Sequence, residues 1–190
     1  MSTFALQRFI DTHPPDTNRQ PVSNERLEAW RGYVPDSLLD LWSLCGFGFF
    51  GTSQLCLLNP DEWIPILDRW VTSRSGASGR VPILMSPFGD LYYYRRFSAE
   101  EDISVIYIDT CEAAVISWNL EDFFNGTLCN SIQLRNLMPA QLGRIQARYG
   151  LLNPGQVYQM VPPINGQPIS VEKAPALWVH ENRLNNIRND

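Results

Sequence analysis

Residues 46–51 read GFGFFG, the glycine spacing of a dinucleotide-binding loop. That chemistry needs a strand before the glycines and a helix opening at the third, so that helix-terminal N–H groups face a pyrophosphate. Here the order is reversed: Leu38, Leu41, Trp42 and Cys45 recur at helical spacing before the glycines, and the apolar SQLCLL follows them. The glycines therefore read as a turn from helix to strand. Other reactive residues form no catalytic set. The two histidines, His13 and His180, belong to no H-E-x-x-H pattern or His/Cys pair of metal-ligand spacing. Cys45, Cys56, Cys111 and Cys129 stand apart in apolar surroundings, without the helix-opening context that activates a thiol. No G-x-S-x-G elbow and no G-x-x-x-x-G-K-[ST] loop is present. Carboxylates cluster at Glu100, Glu101 and Asp102 and again at Glu121 and Asp122. They could do acid–base work in a cleft or could simply face water. The run LYYYRR (91–96) could stack bases, but it is also good strand material beside an acidic stretch that would repel a nucleic-acid backbone. These residues predict no metal, no cofactor, no direct nucleic-acid binding and no small-molecule substrate.

Charge is distributed unevenly. From Phe97 to Leu134 there is no Lys or Arg, while Glu100, Glu101, Asp102, Asp109, Glu112, Glu121 and Asp122 are all acidic. Residues 135–190 carry six basic side chains against three acidic ones. A segment of this kind disfavours phosphates and suits a basic partner, or else forms an ordinary solvated rim. Hydrophobic content of 44% with six Trp, seven Tyr and nine Phe predicts a packed core in the 190-residue chain. No apolar run is long enough to span a bilayer. The N-terminal stretch lacks the features of a secretion signal, and the cysteines form no C-x-x-C pair. A reduced, cytoplasmic protein is expected.

The elements that must position these residues fall into three groups. Residues 1–22 read as an arm, followed by a short helix capped at Ser23 or Asn24, a helix over 35–45 and a strand near 54–58. In NPDEWIPILDRWV, Asn59 can cap, Pro60 suits the first helical position, Glu62 is placed for a capping box, and Pro65 should kink or delay the helix. Residues 72–80 read as a loop. VPILMS, DLYYYRR, ISVIYID and AAVISW then predict an antiparallel meander, since the intervals are too short for crossover helices. Helices are predicted over 119–129 with Asn119 as cap, in MPAQLGRIQARYG, and over 171–188 with Pro175 near its start; NPGQVY reads as a turn into a strand. The fold class is α+β, a mostly antiparallel sheet with helices packed before and after it.

Three motifs in sequence order carry a family resemblance. VPDSLLDLWSLCGFGFFG followed by LCLLNPDEW resembles the GAD-like domain, whose members pair a helix ending in G-[FW]-G with an apolar strand and an N-P-D-E helix start. PFGDLYYY (87–94) is similar to that family's FGDL plus aromatic strand, which joins it to a second domain. LNPGQVYQMVPPINGQPISVEKAPALWVH (152–180) is similar to the second domain's tail, departing from it at Gln167 and Pro168. The resemblance implies a GAD-like part over 1–90 and an immunity-type part over 91–190, packed as one unit. Proteins of this architecture resemble immunity proteins of bacterial type VI secretion systems. The resemblance thus implies a non-enzymatic, cytoplasmic inhibitor of a secreted DNase toxin; a regulatory or scaffold module binding another protein is the alternative. A nuclease has a basic groove that an acidic face can occupy. The residues expected to form that face are Asp90, Glu100, Glu101, Asp102, Glu121 and Asp122. For Asp90, fixing the turn in FGDL is the competing role.

Overall fold

A computed structural model describes residues 4–71, 79–98, 100–137, 140–161 and 170–187. The stretch expected to be an arm instead opens the fold. Helix α1 (Gln7–Thr12) and strand β1 (Pro15–Gln20) form there, and Leu6 and Phe9 are fully buried. Phe9 packs on Phe50 and edge-on against Phe124, with ring centroids 5.4 and 4.9 Å apart. Phe4 and Ile10 pack beside them and the buried His13 ring meets the Leu128 carbonyl at 2.9 Å, so much of the anchoring comes from tertiary contacts that no local period reveals.

Helix α2 (Asn24–Trp30) is capped by Ser23, whose side chain accepts from the Arg26 N–H at 3.3 Å. Helix α3 (Asp36–Cys45) ends at Gly46, whose φ of 73° favours glycine. A Cβ at Gly46 would also lie 2.5 Å from the Gln20 carbonyl oxygen, so the junction sits directly against the end of β1. GFGFFG turns the chain as expected at its first glycine, yet Phe47–Phe50 is itself a buried strand, β2, paired with β1 on one side and β3 (Leu55–Leu57) on the other. The aromatic residues supply the strand that the glycines conceal. Between β2 and β3, Gly51, Thr52 and Ser53 all have positive φ. The Asp16 carboxylate accepts from the Thr52 and Ser53 N–H groups at 3.0 and 2.8 Å and holds that turn.

Helix α4 (Pro60–Trp70) starts as expected: Asn59 accepts from the Asp61 N–H and its amide donates to Glu62 at 2.7 Å. The helix runs through Pro65 and buries Trp63, Ile66 and Leu67. Of the expected loop at 72–80, residues 72–78 lie outside those described, as do Gln167 and Pro168. Strands β4 (Arg80–Met85), β5 (Leu91–Phe97), β6 (Glu100–Tyr107) and β7 (Glu112–Ser117) form the predicted meander. They complete a seven-stranded antiparallel sheet in the order β1 to β7. The β4–β5 hairpin straddles residue 90, so the sheet draws strands from both expected parts. The fold is α+β, with helices before and after the meander.

Beyond β7, Asn119 accepts from the Asp122 N–H at 2.9 Å, but the helix it opens is a π-helix over Asp122–Thr127. Its widened turn lets Phe123 and Phe124 both reach the core, where Phe123 lies against Tyr92 at 5.6 Å. Helix α5 (Ser131–Leu137) follows, which the sequence reading missed, and then α6 (Leu142–Tyr149), ended at Gly150. Strands β8 (Gln156–Val161) and β9 (Ser170–Pro175) pair as a separate two-stranded sheet. The terminal helix, α7 (Ala176–Ile187), begins only after Pro175, because a residue preceding proline is disfavoured in helical conformation; the five residues expected ahead of it are strand.

His180 on α7 locks that helix to α4. It is 0% exposed, its Nδ1 accepts from the Trp70 indole N–H at 3.0 Å, and the Trp63 and Trp70 rings meet it edge-on. Its Nε2 faces Gly89 without a hydrogen bond of good geometry. Burial lowers its pKa to about 4, so the ring is neutral in the folded protein at pH 7. The unfolded chain takes up the proton near pH 6.5, earlier than the folded one, so stability falls as pH drops from about 6.5 to about 4. Urea unfolding should show about 2 kcal/mol less stability at pH 5 than at pH 7, and His180→Phe should remove that loss.

Candidate functional site

The β5–β6 register sets Arg95 opposite Asp102, Arg96 opposite Glu101 and Phe97 opposite Glu100. Opposed residues share a face of the sheet, so alternate pairs go to opposite sides. On one side the Arg95 guanidinium grips Asp102 in two hydrogen bonds of 2.8 and 2.6 Å, and the Ser104 hydroxyl donates to the same carboxylate at 2.9 Å. The guanidinium also lies 4.8 Å from the centre of the Phe97 ring. Asp102 is 0% exposed. It was expected on an interaction surface, and the structure corrects this: its charge is neutralised inside the protein.

On the other side Glu101 accepts from the Tyr94 hydroxyl at 2.9 Å and from the Leu120 N–H at 3.0 Å. Burial, and then the carboxylate beside it, push the Tyr94 phenol above its ordinary range, so it remains a donor. The Leu120 contact brings the 119–122 segment against the β5–β6 hairpin. An open groove of about 910 Å³ lies there, lined by Pro35, Tyr94, Arg96, Glu100, Glu101, Trp118 and Asn119. Trp118 stands 70% exposed at the end of β7. Arg96 turns from the carboxylates to donate to the Gly32 carbonyl at 3.0 Å.

Of the six expected acidic residues, Glu100 and Glu101 line the groove, while Glu121 and Asp122 are exposed and follow its lining residue Asn119 in the chain. Ion pairs among the described residues are Arg26–Asp61, Arg31–Glu28, Arg31–Asp36 and Arg95–Asp102. None of them neutralises these four carboxylates. Asp90 is not part of the group. It precedes β5 at the end opposite the hairpin, roughly 20 Å away by strand length. There it accepts from the Ser86 hydroxyl at 3.0 Å and the Ile108 N–H at 3.2 Å, and burial raises its pKa. It fixes the β4–β5 turn, the competing role named for it.

Burial pushes the Cys56 thiol up to about 12 and raises that of Cys45, which leaves both poor nucleophiles. Among the described residues no group of three or more His, Cys, Asp or Glu could hold a metal ion. Trp118 was the groove residue the sequence reading did not single out. Its signal was there: a tryptophan directly after a strand and directly before a helix-capping asparagine.

The profile of the GAD-like domain matches residues 4–107, more than half of the chain. Among solved structures, the crystal structure of Atu4351 from Agrobacterium tumefaciens is similar, with a TM-score of 0.75 over 94% of this chain and 87% of that one. At 14% identity the likeness is one of fold. No curated protein matches the sequence.

Breaking the buried pair should cost more than removing a groove charge. Arg95→Ala strands the Asp102 carboxylate and should destabilise by about 3 kcal/mol in urea unfolding, whereas Glu100→Gln should stay within about 0.5 kcal/mol of the parent.

Proposed function

We propose that this chain, which belongs to the GAD-like domain family, is an immunity protein that binds and neutralises a secreted nuclease toxin in the cytoplasm without catalysing a reaction. The observation that carries the reading is the groove: Glu100 and Glu101 line it together with an exposed tryptophan, Glu121 and Asp122 follow in the adjoining segment, and none of the four forms an ion pair among the described residues. A nuclease that grips DNA must present basic side chains where phosphates bind, and a preformed carboxylate face competes for that surface. Two of the groove's features divide the work. Exposed carboxylates accelerate encounter with a basic partner, while an exposed indole provides apolar area of the kind that dominates protein interfaces.

The motif resemblance in sequence, from the helix ending at Gly46 to the strand after Asp90, supports the secretion-system setting. The DNase-toxin partner and the type VI apparatus are part of the proposal. Co-purification with the product of the adjacent gene, followed by DNA cleavage with and without this protein, tests the reading; cleavage that proceeds at full rate in its presence refutes it.

Within that complex, replacing Glu100, Glu121 and Asp122 together by Lys should slow association by about 10-fold or more at low salt. Trp118→Ala should act mainly on dissociation, speeding it by about 30-fold. Biolayer kinetics at two salt concentrations separates these effects. Unchanged rates in both variants place the interface elsewhere.

A further inference from the structure

The seven-stranded sheet has two edges, and they differ. At one edge, β1 begins with Pro15, loses its register with β2 between Pro15 and Arg19, and sends the Arg19 guanidinium to the Cys45 carbonyl at 2.6 Å. Proline, an irregular register and charged or polar side chains are the ordinary means of blunting an edge. At the other edge, β7 opens with Glu112 and shifts its register with β6 between Val115 and Ser117, but between these Ala113, Ala114 and Val115 pair continuously with Ile106, Val105 and Ser104. Residues 112–115 are exposed, and no strand pairs with the outer side of β7 among the described residues. Such an edge presents a row of backbone donors and acceptors in a geometry that another strand can complete.

The surroundings say what kind of strand would fit. β7 starts at Glu112 and ends at Ser117, next to Trp118 and the groove that Glu100 and Glu101 line. No Lys or Arg occurs between Ser98 and Leu134. A second copy pairing here would set Glu112 and the groove carboxylates of two edges against each other, with Arg183 and Arg96 the cations that lie near the two ends of the strand. An extended segment bearing Lys or Arg would instead find opposite charge at both ends of the strand, and six paired residues would carry it about 20 Å, the length of β7. We infer that β7 is the docking edge for a basic, extended segment of the protein partner, which adds as an eighth strand and delivers a side chain to the groove beside Trp118. This rests on the immunity reading for the partner's identity and adds the mode of binding to it. Backbone pairing along β7 supplies affinity that does not depend on the partner's side chains, and the groove supplies selection among them.

The test uses successive positions. In a strand, neighbouring N–H groups point to opposite sides, so of Ala113→Pro and Ala114→Pro one removes a β6–β7 ladder bond and the other only an outward donor. Thermal melting identifies the variant with the outward defect, which should melt as the parent does. Its Kd for the adjacent nuclease should rise by 10-fold or more. In the wild-type complex, hydrogen exchange over 112–117 should slow relative to the free protein. Binding by the fold-preserving variant at parental affinity, or unchanged exchange over 112–117, overturns strand addition while leaving the immunity reading standing. Failure of the wild-type protein to bind the adjacent nuclease removes both. Sedimentation gives the remaining outcome: a wild-type dimer that the outward proline converts to monomer would assign the edge to a second copy and overturn the inference.

Discussion

Burial of the Asp102 carboxylate is the constraint around which the site is organised. An ionised carboxyl group removed from water costs several kcal/mol, and here the offset comes from the forked Arg95 contact and the Ser104 hydroxyl. Both lie where they do because β5 and β6 pair in one register. A slip of one residue would send Arg95 and Asp102 to opposite faces and leave the carboxylate buried without a partner. A pair of this kind contributes little net stability compared with apolar packing, but it penalises the wrong pairing heavily. In this chain that penalty fixes Glu101 opposite Arg96 and Glu100 opposite Phe97. The interior charge thus determines where the exterior charges go.

Glu101 carries that register outward. Its two oxygens are held from different segments, by Tyr94 on β5 and by the backbone of Leu120 beyond β7. The second bond is what sets the 119–122 segment beside the hairpin, and Asn119 then starts the π-helix that sends Phe123 and Phe124 inward. Core and groove are therefore not independent. The aromatic anchors keep the segment down, and Glu101 keeps its register. A carboxylate held by two donors loses less freedom on meeting a cation than one on a mobile chain, which favours affinity through preorganisation.

The elements legible from sequence were those with strong local signals. The Asn59–Pro60 start of α4, the Gly46 and Gly150 helix ends, and the four meander strands each follow from residue types whose backbone preferences agree with the fold. What the sequence hid has physical causes. β1 is polar on an exposed edge, so it shows no alternation, and its place is secured by tertiary contacts such as Arg19 to the Cys45 carbonyl. β2 lies in a glycine spacing that reads as a turn. For the site, Glu100 and Glu101 line one groove, and Glu121 and Asp122 are exposed in the segment that follows its lining residue Asn119. Asp102 looks the same as Glu101 in sequence, and only strand alternation, with Arg95 across the ladder, distinguishes an interior carboxylate from one at the groove. Asp90 was separable in principle, since a serine four residues earlier is the signature of a side-chain-locked turn.

The groove combines two kinds of attraction that respond differently to their surroundings. Carboxylates at Glu100, Glu121 and Asp122 act over distances comparable with the Debye length, about 8 Å at physiological ionic strength, and weaken as salt rises. The Trp118 ring acts only on contact and is little affected by salt. Were the face purely acidic, any basic protein would adhere to it and leave as readily; were it purely apolar, encounter would be slow and unselective. With the indole just past the end of β7 and carboxylates beside it, long-range attraction would orient the proposed basic partner before short-range contacts form. That order of events would favour carboxylates free of ion pairs before binding: Arg95 is committed to Asp102, and Arg96, although it lines the groove, donates to the Gly32 carbonyl.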